Sequence, residues 1–206
     1  MKINDFINTI QSKIGCGYVY GGQSDKPLTK DALQKLVKMF GKKYYYFTKY
    51  SAEKWLGNEY YDCSGLVVYT LQKLGIIPKA ADYTAEGIYR NLCVPIQKAD
   101  LRLGDLCFVN TSTGINHVGV YTGNGKVTHA RGTSYGVVET GLLSCFNTFG
   151  RLKAFKDEPI DDLADALKYI TEKSGIDYNT CYNTAKSVKN LDLWFIKIAK
   201  AWKEGK

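Results

Sequence analysis

From the N-terminus to about residue 100 the apolar side chains recur at helical steps; beyond Leu103 they collect into short β-branched runs broken by glycine. Ile3, Phe6, Ile7, Ile10 and Ile14 mark one face of an amphipathic helix over residues 3–14. The glycine- and tyrosine-rich stretch from Gly15 to Gly22 reads as a turn. Leu33, Leu36, Val37 and Phe40 predict a second helix over Thr29 to Phe40, stopped by Gly41. The tyrosine-rich stretch 42–61 carries the cluster Tyr44-Tyr45-Tyr46-Phe47, which fits core, strand or binding surface alike. A third helix runs from Cys63 to Leu74. Asp62 is placed to cap it, Leu66, Val67, Thr70, Leu71 and Leu74 form its stripe, and Gly75 follows as the C-terminal cap. The β-branched runs are Asp105–Val109, His117–Tyr121, Lys126–Ala130, Gly136–Thr140 and Arg151–Phe155, a spacing that predicts an antiparallel sheet. Helices first and strands after make an α+β domain.

Lys156-Asp157-Glu158-Pro159 reads as a linker that separates a domain over 1–156 from a tail over 157–206. In the tail, Asp161 caps a helix through Leu163, Leu167 and Ile170 that ends at Gly175. Ala185, Val188, Leu191, Phe195, Ile198 and Trp202 mark a second helix, so the tail predicts a helical hairpin of about 45 residues, small for an independent core.

Composition narrows the class. With 206 residues, 45% apolar and 23% charged, the chain is globular rather than disordered. No apolar run nears the ~20 residues of a membrane span. Met1-Lys2-Ile3-Asn4-Asp5-Phe6 puts an acid where a signal peptide begins its apolar stretch, so the expectation is synthesis in the cytoplasm without Sec export. The net charge of +8 is uneven: from Asp157 onward eight lysines face nine acids, which leaves +9 on residues 1–156. Such a surface attracts polyanions without choosing among them.

Six cysteines are too dilute for a disulfide scaffold, and without a C-x-x-C pair and with two histidines in all the sequence calls for no metal and no cofactor. Cys16, Cys93, Cys107, Cys145 and Cys181 read as small buried residues. Cys63 differs, because a thiol in the first turn of a helix meets free N–H groups and the positive end of the dipole, which favour thiolate. A nucleophilic cysteine needs a base, and His117 and His129 both fall in predicted strands of one hairpin. They share a face if the register pairs them directly, through a three-residue Thr122-Gly123-Asn124 loop with a bulge at Gly125; a four-residue loop puts them on opposite faces. A lone cysteine at a helix start is more often a small buried residue, and a lone strand histidine a satisfied polar one. Their coincidence here supports a cysteine hydrolase.

The residues then fall into a familiar order. Tyr18-Val19-Tyr20-Gly21-Gly22, Asp62-Cys63-Ser64-Gly65-Leu66-Val67, Leu103-Gly104-Asp105-Leu106, His117-Val118-Gly119-Val120-Tyr121, and Gly125 followed by His129-Ala130 resemble the successive elements of the NlpC/P60 cysteine peptidases, over residues 15–155. Tyr20 stands where that family usually has Trp. The resemblance implies a papain-like α+β fold, with helices packed on an antiparallel sheet, and a hydrolase that cuts peptidoglycan stem peptides, at the D-glutamyl–diamino acid bond. It implies Cys63 as nucleophile, His117 as its ion-pair base and His129 as the residue orienting His117. It also implies substrate contacts from Tyr18, Asp62 and Ser64, although Asp62 fits a plain N-cap equally well. The Cys63 backbone N–H is the natural oxyanion donor.

Residues 23–61 exceed the family's usual gap. With eight lysines, four acids and six tyrosines, this insertion fits either a lid or wall-contacting loop, or a solvated helix on a tyrosine-filled packing layer. The tail's Trp194, Phe195 and Trp202 are assigned to packing first, against the first domain or a second copy, and to a wall polymer or partner second. A wall enzyme without a signal peptide is expected to leave by lysis, a holin or a virion, as a phage-type endolysin does, and the +9 of residues 1–156 suits a Gram-positive wall bearing anionic polymers. Two alternatives stand beside it: an N-acetylmuramoyl-L-alanine amidase with the same three residues, and a non-catalytic basic wall-binding module. No nucleic-acid motif and no membrane segment accompany them.

Overall fold

The protein, described by a computed structural model at residues 3–155, 166–167, 170–171 and 191–205, divides into two compact units, Met1–Lys156 and Asp157–Lys206. In the first, helices precede a sheet. α1 (Ile3–Gln11) buries Phe6, Ile7 and Ile10 but ends three residues before Ile14, which is left 46% exposed. α2 (Lys30–Phe40) starts at Thr29, whose hydroxyl accepts from Ala32 N–H, and stops at Gly41, whose φ of 95° an L side chain resists. α3 (Cys63–Lys73) is the most buried helix and packs on α1 and on the two strands that carry the histidines. α4 (Ala85–Gly87), capped by Thr84, continues as a π-helical turn over Ile88–Leu92.

Two sheets complete the unit. β1 (Gly17–Tyr18), β3 (Tyr60–Tyr61) and β2 (Gln23–Ser24) form a small one in that order. β4 (Cys93–Ile96), β9 (Thr148–Leu152), β5 (Leu106–Thr111), β6 (Gly114–Gly123), β7 (Lys126–Gly132) and β8 (Gly136–Gly141) form the large one, every neighbouring pair antiparallel. The α+β architecture is therefore as expected, with differences in detail. β4 was hidden by Pro95, which a ladder tolerates only where the missing N–H costs nothing, and β4 is an edge strand. β9 begins three residues ahead of the expected Arg151, and Lys153–Phe155 is a 3₁₀ turn instead. Asp105, nearly fully buried at the start of β5, is held by Arg151 of β9 through a paired hydrogen bond, Nε to Oδ1 at 2.9 Å and Nη2 to Oδ2 at 2.8 Å.

The insertion is a folded layer. Val19, Leu28, Leu33, Tyr45 and Ala52 form its own core, and Tyr20 stacks on Tyr44 with centroids 4.2 Å apart. Trp55 ties it to the large sheet, donating from Nε1 to the Thr133 carbonyl at 2.7 Å. Met39, Tyr46, Phe47 and Tyr50 stay exposed on its outer side.

In the second unit, α5 (Leu191–Lys203) sets Ala199 with Phe195, Ile196 and Ile198 against Ala166 and Ile170. Trp194 and Trp202 are exposed at 54% and 43%, so the packing stripe takes in Phe195 and leaves the two tryptophans outside. The linker 156–159, the cap Asp161, Leu163, Gly175, Cys181, Ala185 and Val188 lie outside the described residues. Cys93 and Cys107 are buried and Cys16 partly so, but Cys145 is exposed, contrary to the expectation for it. Among the described helices none is long and apolar enough to cross a membrane.

Candidate active site

Local sequence dictates where the thiol sits. Asp62 caps α3 through Oδ1, which accepts from Gly65 N–H at 2.6 Å and from the Ser64 hydroxyl at 3.1 Å. Its Oδ2 accepts from Gly21 N–H at 2.9 Å and so pins the Gly21-Gly22 turn to the helix start. Position 65 has to be glycine, since a Cβ there would lie 2.1 Å from the Gly22 carbonyl oxygen. These contacts place Cys63 at the first position of α3 on the floor of a cleft of about 460 Å³. Its lining includes Tyr18, Tyr20 and Phe40 together with Asp82, Tyr83 and Asn116.

Cys63 Sγ lies 3.9 Å from the Asn116 carbonyl and faces the Val118 N–H, so it meets β6 at the two residues flanking His117. The ring of His117 meets that of His129 with Nε2 and Nδ1 2.8 Å apart. His129 Nε2 is 3.2 Å from the Thr140 hydroxyl, which donates in turn to the Gly141 carbonyl at 2.9 Å. Phe146 packs against both imidazoles, stacked on His117 with centroids 5.9 Å apart and edge-on to His129 at 5.5 Å.

The histidines share a face, but by another route than the sequence suggested. The turn is the two-residue Asn124-Gly125, with φ of 51° and 69°, a hairpin connection for which Asn-Gly is well suited. Beside it Gly123 pairs with Lys126, whereas Tyr121 pairs with Val127, so Thr122 is the extra residue of a bulge. The bulge shifts the register parity and brings both rings to one side. His117 and His129 are then diagonal rather than directly opposed. The residue across from His129 is Gly119, where a Cβ would sit 3.0 Å from the His129 Cβ and 2.5 Å from Val127 Cγ1.

Burial governs the electrostatics. It pushes the Cys63 thiol up to about 12, helped by the Asp62 charge and opposed by the N–H groups of Val118, Ser64 and Cys63 itself. Burial likewise holds His117 down at about 4 and His129 at about 3, the latter aided by its neighbours His117 and Arg131. Burial thus favours the neutral forms of the thiol and of both imidazoles, and it opposes the thiolate that the dipole of α3 favours. Tyr18 is raised far above the ordinary tyrosine value by burial and by the Cys63 and Asp62 charges, and stays a protonated donor in the cleft wall.

All six residues singled out from the sequence thus converge: Tyr18, Asp62, Cys63 and Ser64 line the cleft, and His117 and His129 stand behind Cys63 on the sheet. Asp62 has both carboxylate oxygens engaged within the fold, so its N-cap role is realised. Sequence reasoning missed Thr140, Asp82, Phe40 and Phe146. Only the Thr84 helix cap beside Asp82 carried a local signal; the other three are brought in by strand pairing or by the packing of the insertion. Among the described residues no cluster of three or more His, Cys, Asp or Glu is placed to hold a metal.

The chain is similar to known proteins. The murein DD-endopeptidase MepH of Escherichia coli is 35% identical over 121 residues, which cover 55% of this chain and 40% of MepH. The probable endopeptidase p60 of Listeria innocua is 33% identical over 90 residues, 39% of this chain and 18% of p60. The chain thus spans less than half the length of either relative. Among solved structures, the peptidoglycan hydrolase RipB of Mycobacterium tuberculosis superposes with a TM-score of 0.50 at 23% identity, over 72% of this chain and 63% of RipB, a likeness of fold. The model of the NlpC/P60 family matches residues 15–145, well over half of the sequence, and this chain belongs to that family.

Proposed function

We propose that this protein is a cysteine peptidase that cleaves stem peptides of peptidoglycan, with Cys63 as nucleophile, His117 as base and His129 as the residue that orients His117. The observation that carries it is the thiol on the cleft floor, set against the residues flanking a histidine that is itself hydrogen-bonded to a second histidine. Because burial favours the neutral thiol and imidazole, proton transfer to His117 accompanies attack of sulfur on the peptide carbonyl carbon. The oxyanion that forms is met by the backbone N–H of Cys63 at the start of α3. Collapse breaks the C–N bond, the amine leaves with the proton from His117, and a thioester remains. Water, deprotonated by His117, releases the acid and restores the thiol.

The substrate class rests on the family and on the names of its relatives. Asp62 and Asp82 give the cleft a negative lining, which supports a substrate that brings a free amine, as expected for cleavage at the D-glutamyl–diamino acid bond. MepH is named for a DD-bond, which makes that bond the second reading. The +9 of residues 1–156 supports an anionic wall as the working surface.

The test is a digest of purified sacculi with wild type and Cys63→Ala, scoring new amino termini, reducing ends and fragment masses. Wild type should release new amines without reducing ends, and the masses name the bond or identify an amidase. Cys63→Ala should release nothing, His117→Ala nearly nothing, and His129→Ala an intermediate amount. Equal release by Cys63→Ala and wild type would sink the mechanism, and wall binding with no release by either would favour a binding module.

A further inference from the structure

The hydrogen bonds at His129 continue beyond the pair of histidines to Thr140, whose hydroxyl bears on which ring nitrogens carry protons. A threonine hydroxyl has a single proton. That of Thr140 goes to the Gly141 carbonyl, 2.9 Å away. The Gly141 carbonyl can only accept and is the nearer of the two partners; with the hydroxyl proton there, the same oxygen accepts from His129 Nε2 at 3.2 Å, and Nε2 of His129 carries the ring proton. The other nitrogen of a neutral imidazole is bare, and His129 Nδ1 accordingly accepts across 2.8 Å from Nε2–H of His117. In this arrangement the His117 proton is on Nε2 and its Nδ1 carries the lone pair.

The backbone supports the chain of bonds. His117, His129 and Thr140 sit on the successive strands β6, β7 and β8 and share one face. Thr140 is offset by two residues from Val138, the direct partner of His129. Strand β8 is the sheet edge, so the relay ends there.

We infer that Thr140 is a positioning residue that sets the tautomers of both histidines, so that His117 presents Nδ1 as the proton acceptor for the thiol. The inference rests on the proposed role of His117. Without the hydroxyl, His129 is equally free to carry its proton on Nδ1 and donate to His117 Nε2. His117 then holds its own proton on Nδ1, where it cannot act as a base.

With two histidines in the whole chain, the ring nitrogens can be read directly by ¹⁵N NMR at neutral pH. Wild type should show both rings protonated at Nε2. In the isosteric Thr140→Val variant a substantial share of both rings should move to Nδ1–H. On a stem-peptide fragment its kcat should fall roughly tenfold with KM unchanged, the scale of one lost orienting hydrogen bond. Thr140→Ser should restore both readouts. A wild-type spectrum with His117 protonated at Nδ1 overturns the inference, and so does a Val variant with unchanged tautomers or a Ser variant as impaired as Val. Should the Val variant not fold, the wild-type spectrum decides. The NMR readout needs no turnover, so a protein that cleaves nothing yet shows these tautomers would fail as a peptidase and not in its relay.

Discussion

At the scale of single residues, desolvation rather than formal charge sets the state of the site. His117 and His129 sit well below the ordinary histidine value of 6.5, at about 4 and about 3. Between those values and 6.5 the unfolded chain binds protons that the folded chain does not. The neutral histidines therefore cost nothing above pH 6.5, and stability falls as the pH drops from 6.5 toward 4. Melting temperatures between pH 7.5 and 4.5 should show this fall, with a shallower slope for a His117→Gln, His129→Gln variant; equal slopes would place the acid sensitivity elsewhere. Cys63 and the histidines were legible in the sequence because the chain holds so few histidines and because a helix cap is a local signal. Thr140 was not, since nothing within a few residues of it speaks of His129. Asp62 was legible only as two competing roles, and which role its oxygens serve follows from the approach of Gly21, far away in the chain.

Among the elements, the β6–β7 hairpin carries the most consequence. The Asn124-Gly125 turn alone would leave the histidines on opposite faces, and the bulge at Thr122 reverses that. Gly119 supplies the space in which the rings meet. Gly119→Ala forces a methyl group against Val127 and His129, and should cost about 1–3 kcal/mol of stability by overpacking. Its cleavage activity should fall further than that loss explains, because the two strands must separate at the histidines. Urea midpoints and turnover measured together check this, and an Ala variant as active and stable as wild type would remove the glycine from the argument. The sheet's central strands were legible from their β-branched alternation. β4 was not, because Pro95 argues against a strand until its edge position is known.

At the scale of the molecule, every residue of the cleft and of the histidine pair lies in the unit Met1–Lys156. A chain ending at Lys156 should cleave soluble stem-peptide fragments at a rate within about threefold of the full chain, a span under 1 kcal/mol. A truncated protein that melts cooperatively yet cleaves nothing would assign the tail a part in the chemistry. The insertion teaches the same lesson about scale. Tyr44, Tyr45 and Tyr60 belong to its packing layer, Tyr46 and Tyr50 stay exposed, and Phe40 at the end of α2 reaches the cleft wall. Local order along the chain determined the family, the helix that presents the thiol, the three residues proposed for the chemistry and the α+β class, because caps, periodicity and motif order act over a few residues. The tertiary structure alone decided that the histidines are diagonal and share a face, that Asp62 ties the Gly21-Gly22 turn to the start of α3, that burial opposes the thiolate and that Thr140 stands next to His129. Those properties depend on strand register and desolvation, which arise only when distant segments pack together.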